Sequence, residues 1–139
     1  MKVILDTSFL IELKKGNKKA VKALEERKDE CEDIVVSSLT VYELLAGANY
    51  VWRKYSDAKE IMITNEMLKY LTVVPVDLDV VKRASDVKAK LMLKGVNVPD
   101  LDILIACSDK DAEILTFDKD FNPLKELEFK ITFLGMTTE

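Results

Sequence analysis

Short apolar runs rich in β-branched residues alternate along this chain with longer stretches whose apolar positions recur every three or four residues. The first pattern is that of strands, the second that of amphipathic helices. Strands are predicted at Lys2–Leu5, Asp33–Ser37, Leu71–Val76, Glu113–Phe117 and Lys130–Leu134. Helices are predicted at Thr7–Lys15, Asn17–Asp29, Thr40–Lys54, Asp57–Lys69, Leu78–Leu93 and Asp100–Lys110. In Asn17–Asp29, Ala20, Val21 and Leu24 share one buried face. Gly95 supplies a C-cap after Leu93.

Strand–helix alternation implies parallel strands joined by right-handed crossovers. The strand segments are continuously apolar, as strands covered on both faces should be. The expected fold is therefore α/β, a three-layer α/β/α sandwich around a parallel sheet of about five strands. No linker, repeat or low-complexity tract divides the 139 residues, which suit a single domain spanning positions 1–139.

Composition narrows the chemistry. The chain is 48% hydrophobic and 33% charged, which fits a globular protein. Its net charge of −4 argues against a broad nucleic-acid-coating surface but not against an enzyme acting on nucleic acid. Cys31 and Cys107 lack metal-ligand spacing and read as free thiols. No segment has transmembrane length, and the opening MKVILDTSF is too short an apolar run for a signal peptide, so a cytoplasmic protein without a membrane partner is expected. There is no histidine, which excludes His as base, metal ligand or phosphoryl carrier.

Ligands of such sheets bind beyond the carboxyl ends of the strands. Asp6 follows the first strand, Asp118 the fourth, and Glu43 lies soon after the second. Asp102 opens the helix leading to the fourth. Converging, these four would make an all-oxygen site for a hard divalent cation. Each also has a structural explanation. Asp6 suits a helix N-cap. Glu43 completes a capping box with Thr40. Asp118 and Asp120 in TFDKDF suit a turn. Asp102 is explained least well, because Asp100 is the natural cap after Pro99 and a second acid among Ile103, Leu104 and Ile105 needs a partner or a metal. Strand alternation puts Thr116 on the same side as Asp118, and Ser8 is placed to donate a hydrogen bond or simply to start a helix. Lys14, Lys15, Lys18, Lys19 and Lys22 read as a solvated face, or alternatively as a phosphate track. Tyr50, Trp52 and Tyr55 read as core or dimer contacts, or alternatively as base-stacking platforms.

Taken in order, D-T-S-F-L (Asp6 to Leu10), S-x-x-x-x-E-L (Ser38 to Leu44), D-x-x-I-A (Asp102 to Ala106) and T-x-D-x-x-F (Thr116 to Phe121) resemble the PIN domain family, in particular the VapC-type toxins of prokaryotic toxin–antitoxin pairs. The resemblance covers essentially the whole chain. It implies that Asp6, Glu43, Asp102 and the more variable Asp118 are metal-binding and catalytic, with Ser8, Thr116, Asp100 and Asp120 in support. Ala106-Cys107 stands where the family often has two alanines. The implied activity is cleavage of single-stranded RNA with Mg²⁺ or Mn²⁺, the implied assembly a homodimer, and the implied partner a small antitoxin. Three other readings compete: a PIN nuclease of RNA maturation or decay, a non-cleaving RNA- or partner-binding module, and a phosphotransfer receiver domain. The last wants an acidic pair after the first strand and a Lys after the last one, and the chain offers neither.

Overall fold

The structure, a computed structural model, describes residues 1–135. Five strands form one wholly parallel sheet: β1 (Lys2–Leu5), β2 (Asp33–Ser37), β3 (Thr72–Val74), β4 (Glu113–Thr116) and β5 (Lys130–Phe133). The spatial order is β3-β2-β1-β4-β5. Six helices connect them: α1 (Thr7–Lys14), α2 (Lys18–Arg27), α3 (Ser38–Tyr55), α4 (Lys59–Leu68), α5 (Leu78–Leu93) and α6 (Asp100–Cys107). The expected three-layer α/β/α sandwich is what forms.

β1 shows why the sheet is covered on both faces. Val3, Ile4 and Leu5 are all buried, and successive side chains point to opposite faces. Val3 and Leu5 join Phe9, Leu10, Ala20, Ala23 and Leu44 on one side. Ile4 joins Val80, Ala84, Ile103 and Ile105 on the other. From β1 the chain adds β2 and then β3 on one flank, and afterwards crosses to place β4 on the other. The order therefore reverses between β1 and β4, and a crevice opens there at the carboxyl edge.

Local chemistry fixes where the helices begin and end. α5 ends in a Schellman motif: Gly95 has φ +68°, its amide donates to the Met92 carbonyl, and Val96 N–H donates to the Leu91 carbonyl. α1 ends the same way at Gly16, φ +77°, and the next residue, Asn17, caps α2 by accepting from Lys19 N–H at 2.9 Å.

Two expectations are corrected. α3 starts at Ser38, not Thr40, because Ser37, the last residue of β2, is itself the cap and accepts from Leu39 N–H at 3.2 Å. The capping box does not form; the Thr40 hydroxyl is buried without a partner. Asp100 is not a cap either. The residue before α6 is Pro99, no side chain caps the helix, and the exposed Asp100 carboxylate pairs with Lys88 at 3.0 Å. One element was not expected: the chain between β4 and β5 forms a run of 3-10 helix, Lys119–Leu127.

Candidate metal centre

Asp6 stands where β1 stops, in the crevice. Its side chain is 3% exposed and accepts from Phe9 N–H at 2.9 Å, so the cap predicted from the sequence is real. It does more than cap. Thr116 Oγ1 donates to its Oδ2 at 2.8 Å, and Ser8 Oγ lies 2.9 Å from both oxygens. Each hydroxyl is in turn held by a backbone amide: Phe117 N–H donates to Ser8 Oγ at 3.0 Å and Asp118 N–H to Thr116 Oγ1 at 2.9 Å. The turn after β4 is thus tied to the carboxylate after β1, across the switch point. Burial pushes the Asp6 carboxyl up to about 6, against these hydrogen bonds and with help from the charge of Asp118.

Asp102 arrives from the other face, in the first turn of α6, where the helix dipole favours a negative charge. Asp118 caps the 3-10 run by accepting from Asp120 N–H at 2.9 Å, which folds Asp120 back beside it. Oxygens of Asp102, Asp118 and Asp120 lie within 4.8 Å of one another. Burial first, then the charges of Asp118, Asp6, Asp120 and Glu43, push Asp102 up to about 7.

Glu43 projects from α3, and Thr7 Oγ1 donates to its Oε1 at 2.6 Å. A groove of about 430 Å³ runs from this contact past Ile11, Leu44, Gly47 and Val51. Another cavity, about 250 Å³ and mostly apolar, is lined by Val3, Leu24, Cys31 and Ile34; Ile34 follows the first residue of β2, at the amino end of the sheet.

Of the eight residues singled out from sequence, seven meet at this edge. Asp6, Glu43, Asp102 and Asp118 all contribute negative charge at Asp102 or are Asp102 itself. Ser8 and Thr116 hold Asp6. Asp120 is closer to the centre than a supporting position implies, since it shares the three-acid group. Asp100 is not brought in. Thr7 was missed, although its place directly after Asp6 is a signal that it lies at the crevice.

The donor set fits a hard divalent ion. It is all oxygen, as Mg²⁺ and Mn²⁺ prefer. Among the described residues, no Lys or Arg pairs with any of the five acids. Uncompensated carboxylates packed this closely are costly unless protons or a cation neutralise them.

The surroundings change two further readings. Tyr50, Trp52 and Tyr55 are 58%, 42% and 63% exposed, so they are not core residues. Lys14 is drawn to Glu60 and Thr64, while Lys18, Lys19 and Lys22 remain exposed.

An acidic centre at the switch point of a parallel five-stranded sheet defines the general class. The PIN domain model matches residues 3–127, a span that contains all five acids, and the chain belongs to the PIN domain family. No curated protein matches it. Among solved structures it is similar to a chain of VapBC2 from Rickettsia felis bound to a promoter DNA fragment, at 19% identity, 96% of this chain and 98% of that one covered, TM-score 0.78. It is also similar to a chain of DNA-bound VapBC from Salmonella typhimurium, at 21% identity, 96% and 98% covered, TM-score 0.74. A third is VapBC-5 of Mycobacterium tuberculosis, a member of a family of toxin–antitoxin systems, at 18% identity, 97% and 98% covered, TM-score 0.68. At these identities the likeness is one of fold.

Proposed function

We propose that this protein is a divalent-metal-dependent endoribonuclease that cleaves single-stranded RNA, and that it is the toxin of a toxin–antitoxin pair. The observation that carries the nuclease reading is the cluster of Asp102, Asp118 and Asp120, which feels the charges of Asp6 and Glu43 and, among the described residues, has no side-chain cation paired to it, in a chain of the PIN domain family.

Asp102, Asp118 and Asp120 offer the ion one oxygen each. Asp6, at the end of β1, and Glu43, on α3, are near enough for their charges to raise Asp102 and would complete the set. The hydroxyls of Ser8 and Thr116 fix the orientation of Asp6, so little reorganisation is needed when an ion arrives. Mg²⁺ or Mn²⁺, when bound, supplies Lewis acidity and charge neutralisation at the scissile phosphodiester. The protein's own part is to present that charge at an open edge, where an extended strand of RNA can lie across it. Attack by a water needs no covalent intermediate on the protein.

Incubation with single-stranded and structured synthetic RNAs, with Mg²⁺, Mn²⁺ or EDTA, tests the reading. Metal-dependent cleavage of the single strands is expected. Cleavage that survives EDTA, or none with either metal, would sink it.

The toxin assignment rests on the fold shared with chains of toxin–antitoxin complexes. An antitoxin that silences such a centre needs a cation, and Arg is the best suited because its guanidinium bridges two carboxylates. Its affinity is expected to fall with salt and on substitution of Asp6 or Asp102; a partner indifferent to both refutes this mode of control. The exposed Tyr42, Tyr50, Trp52 and Tyr55 of α3 support a homodimer. Light scattering at tens of micromolar should give twice the chain mass, and a monomeric mass there would refute the pairing. The place of action proposed for such an enzyme is the cytoplasm, where the cell's RNA is. Among the described residues, no helix is long and apolar enough to cross a membrane.

A further inference from the structure

From the geometry we infer that Thr7 is a positioning residue of the metal centre: its hydroxyl fixes the Glu43 carboxylate through one oxygen and leaves the other free to help hold an ion. The inference rests on the nuclease reading and adds a residue to it.

Glu43 differs from the other four acids. Asp6 is locked by three donors, and Asp118 accepts from the Asp120 amide, while the Asp120 side chain is exposed. Asp102 is half-buried in the first turn of α6. Glu43 has one more rotatable bond than an aspartate and sits on the rim of an open groove. Its charge is the smallest of the influences on Asp102. Capping does not hold it, since Ser37 has that role. The only hydrogen bond to its carboxylate among the described residues comes from Thr7, 36 positions earlier, at 2.6 Å.

Thr7 suits the task. It is the first residue of α1, so its backbone is fixed by the cap at Asp6. A β-branched side chain has few χ1 states, which aims the hydroxyl. Since the hydroxyl engages Oε1, Oε2 stays available on the same carboxylate. Released from Thr7, Glu43 would trade this pose for several solvated ones in the groove, and ordering it again on ion binding would cost side-chain entropy. Loss of an outer partner of this kind typically weakens metal affinity ~10–100-fold.

Isothermal titration of the full chain with Mn²⁺ tests this. Thr7→Val removes the hydroxyl and keeps the shape, and is expected to weaken Mn²⁺ binding ~10-fold or more. Thr7→Ser restores the donor and should recover binding to within about threefold, which a purely structural role of the methyl group would not produce. Glu43→Gln with Thr7→Val should be no worse than Glu43→Gln alone, because the two act through one contact. Thr7→Val binding Mn²⁺ like the unaltered protein, Thr7→Ser as defective as Thr7→Val, or additive losses in the double variant would each overturn the inference. Asp102→Asn separates this from the underlying reading. If it binds Mn²⁺ normally, the metal centre itself is wrong; if it fails to bind while Thr7→Val is unaffected, only the role of Thr7 falls.

Discussion

Replacing Asp102 by Asn should reduce RNA cleavage at least about a hundredfold, since loss of an outer-shell partner alone costs ~10–100-fold and Asp102 is proposed to hold the ion itself. The same change should make the metal-free protein more stable. Burial and four neighbouring acids push the Asp102 carboxyl up to about 7, so at pH 8 the folded chain carries an ionised group that its surroundings disfavour. Asn keeps the shape and removes the charge. Because Asp102 is only half-buried, solvent screening limits the gain to on the order of 1 kcal/mol, a Tm rise of a few degrees. Asp6→Asn should be as damaging to cleavage but less stabilising. Asp6 accepts hydrogen bonds at both oxygens, and an amide nitrogen facing Thr116 would set two donors against each other. Parallel cleavage assays and thermal melts in EDTA at pH 8 check both. Unchanged cleavage by Asp102→Asn would rule out the proposed centre, and a lowered Tm would show that the acids do not repel one another as described.

How far the sequence revealed this centre depended on geometry that spacing encodes unequally. The sheet was legible because Val3-Ile4-Leu5, Ile34-Val35-Val36 and Ile114-Leu115 are unbroken apolar runs, as central strands covered on both faces need; the edge strand β3, with Val73 45% exposed, shows less of it. Asp6 was legible as a cap, which it is, and its charge reaches Asp102, in keeping with the ligand role proposed for it. Asp102 was told from Asp100 as the acid that a cap does not need, but Asp100 was also read as a supporting residue, which its direction does not allow. Two positions on a helix at ~100° per residue point nearly opposite ways, and here Asp100 turns to Lys88 while Asp102 turns to the acids. Glu43 was hidden behind a plausible capping box. The box fails because β2 runs directly into α3 with Ser37 as cap, a boundary that the apolar pattern of IVVSSLTVYELL does not mark. Asp120 was underrated because TFDKDF was read as a plain turn; the 3-10 run brings its carboxylate back onto Asp118.

Metal affinity should fall steeply as the pH drops from 8 to 5.5. An ion must displace whatever protons the cluster holds, and Asp6 and Asp102 are pushed up to about 6 and about 7. If both must be ionised to bind, affinity changes little above pH 7.5 and drops on the order of tenfold to a hundredfold by pH 5.5. Ordinary carboxylates, titrating near 4, would leave the same interval almost flat. Stability of the metal-free chain should move the opposite way. Both groups have folded-state values above their unfolded ones, so their contribution is fully present below about pH 4 and is lost as the pH rises through about 6 and then about 7. Glu113, lowered by its hydrogen bonds to the Arg27 guanidinium, works in the other sense and weakens the fold only in stronger acid. Between pH 5 and 8, then, EDTA-treated protein should melt at progressively lower temperature as the pH is raised, and Mn²⁺ should restore most at the alkaline end, where its affinity is greatest. Calorimetric titration and melts across this range measure both slopes. Affinity that is independent of pH, or metal-free protein that gains stability from pH 5 to 8, would mean that the acids are neutralised by something other than protons or a metal ion.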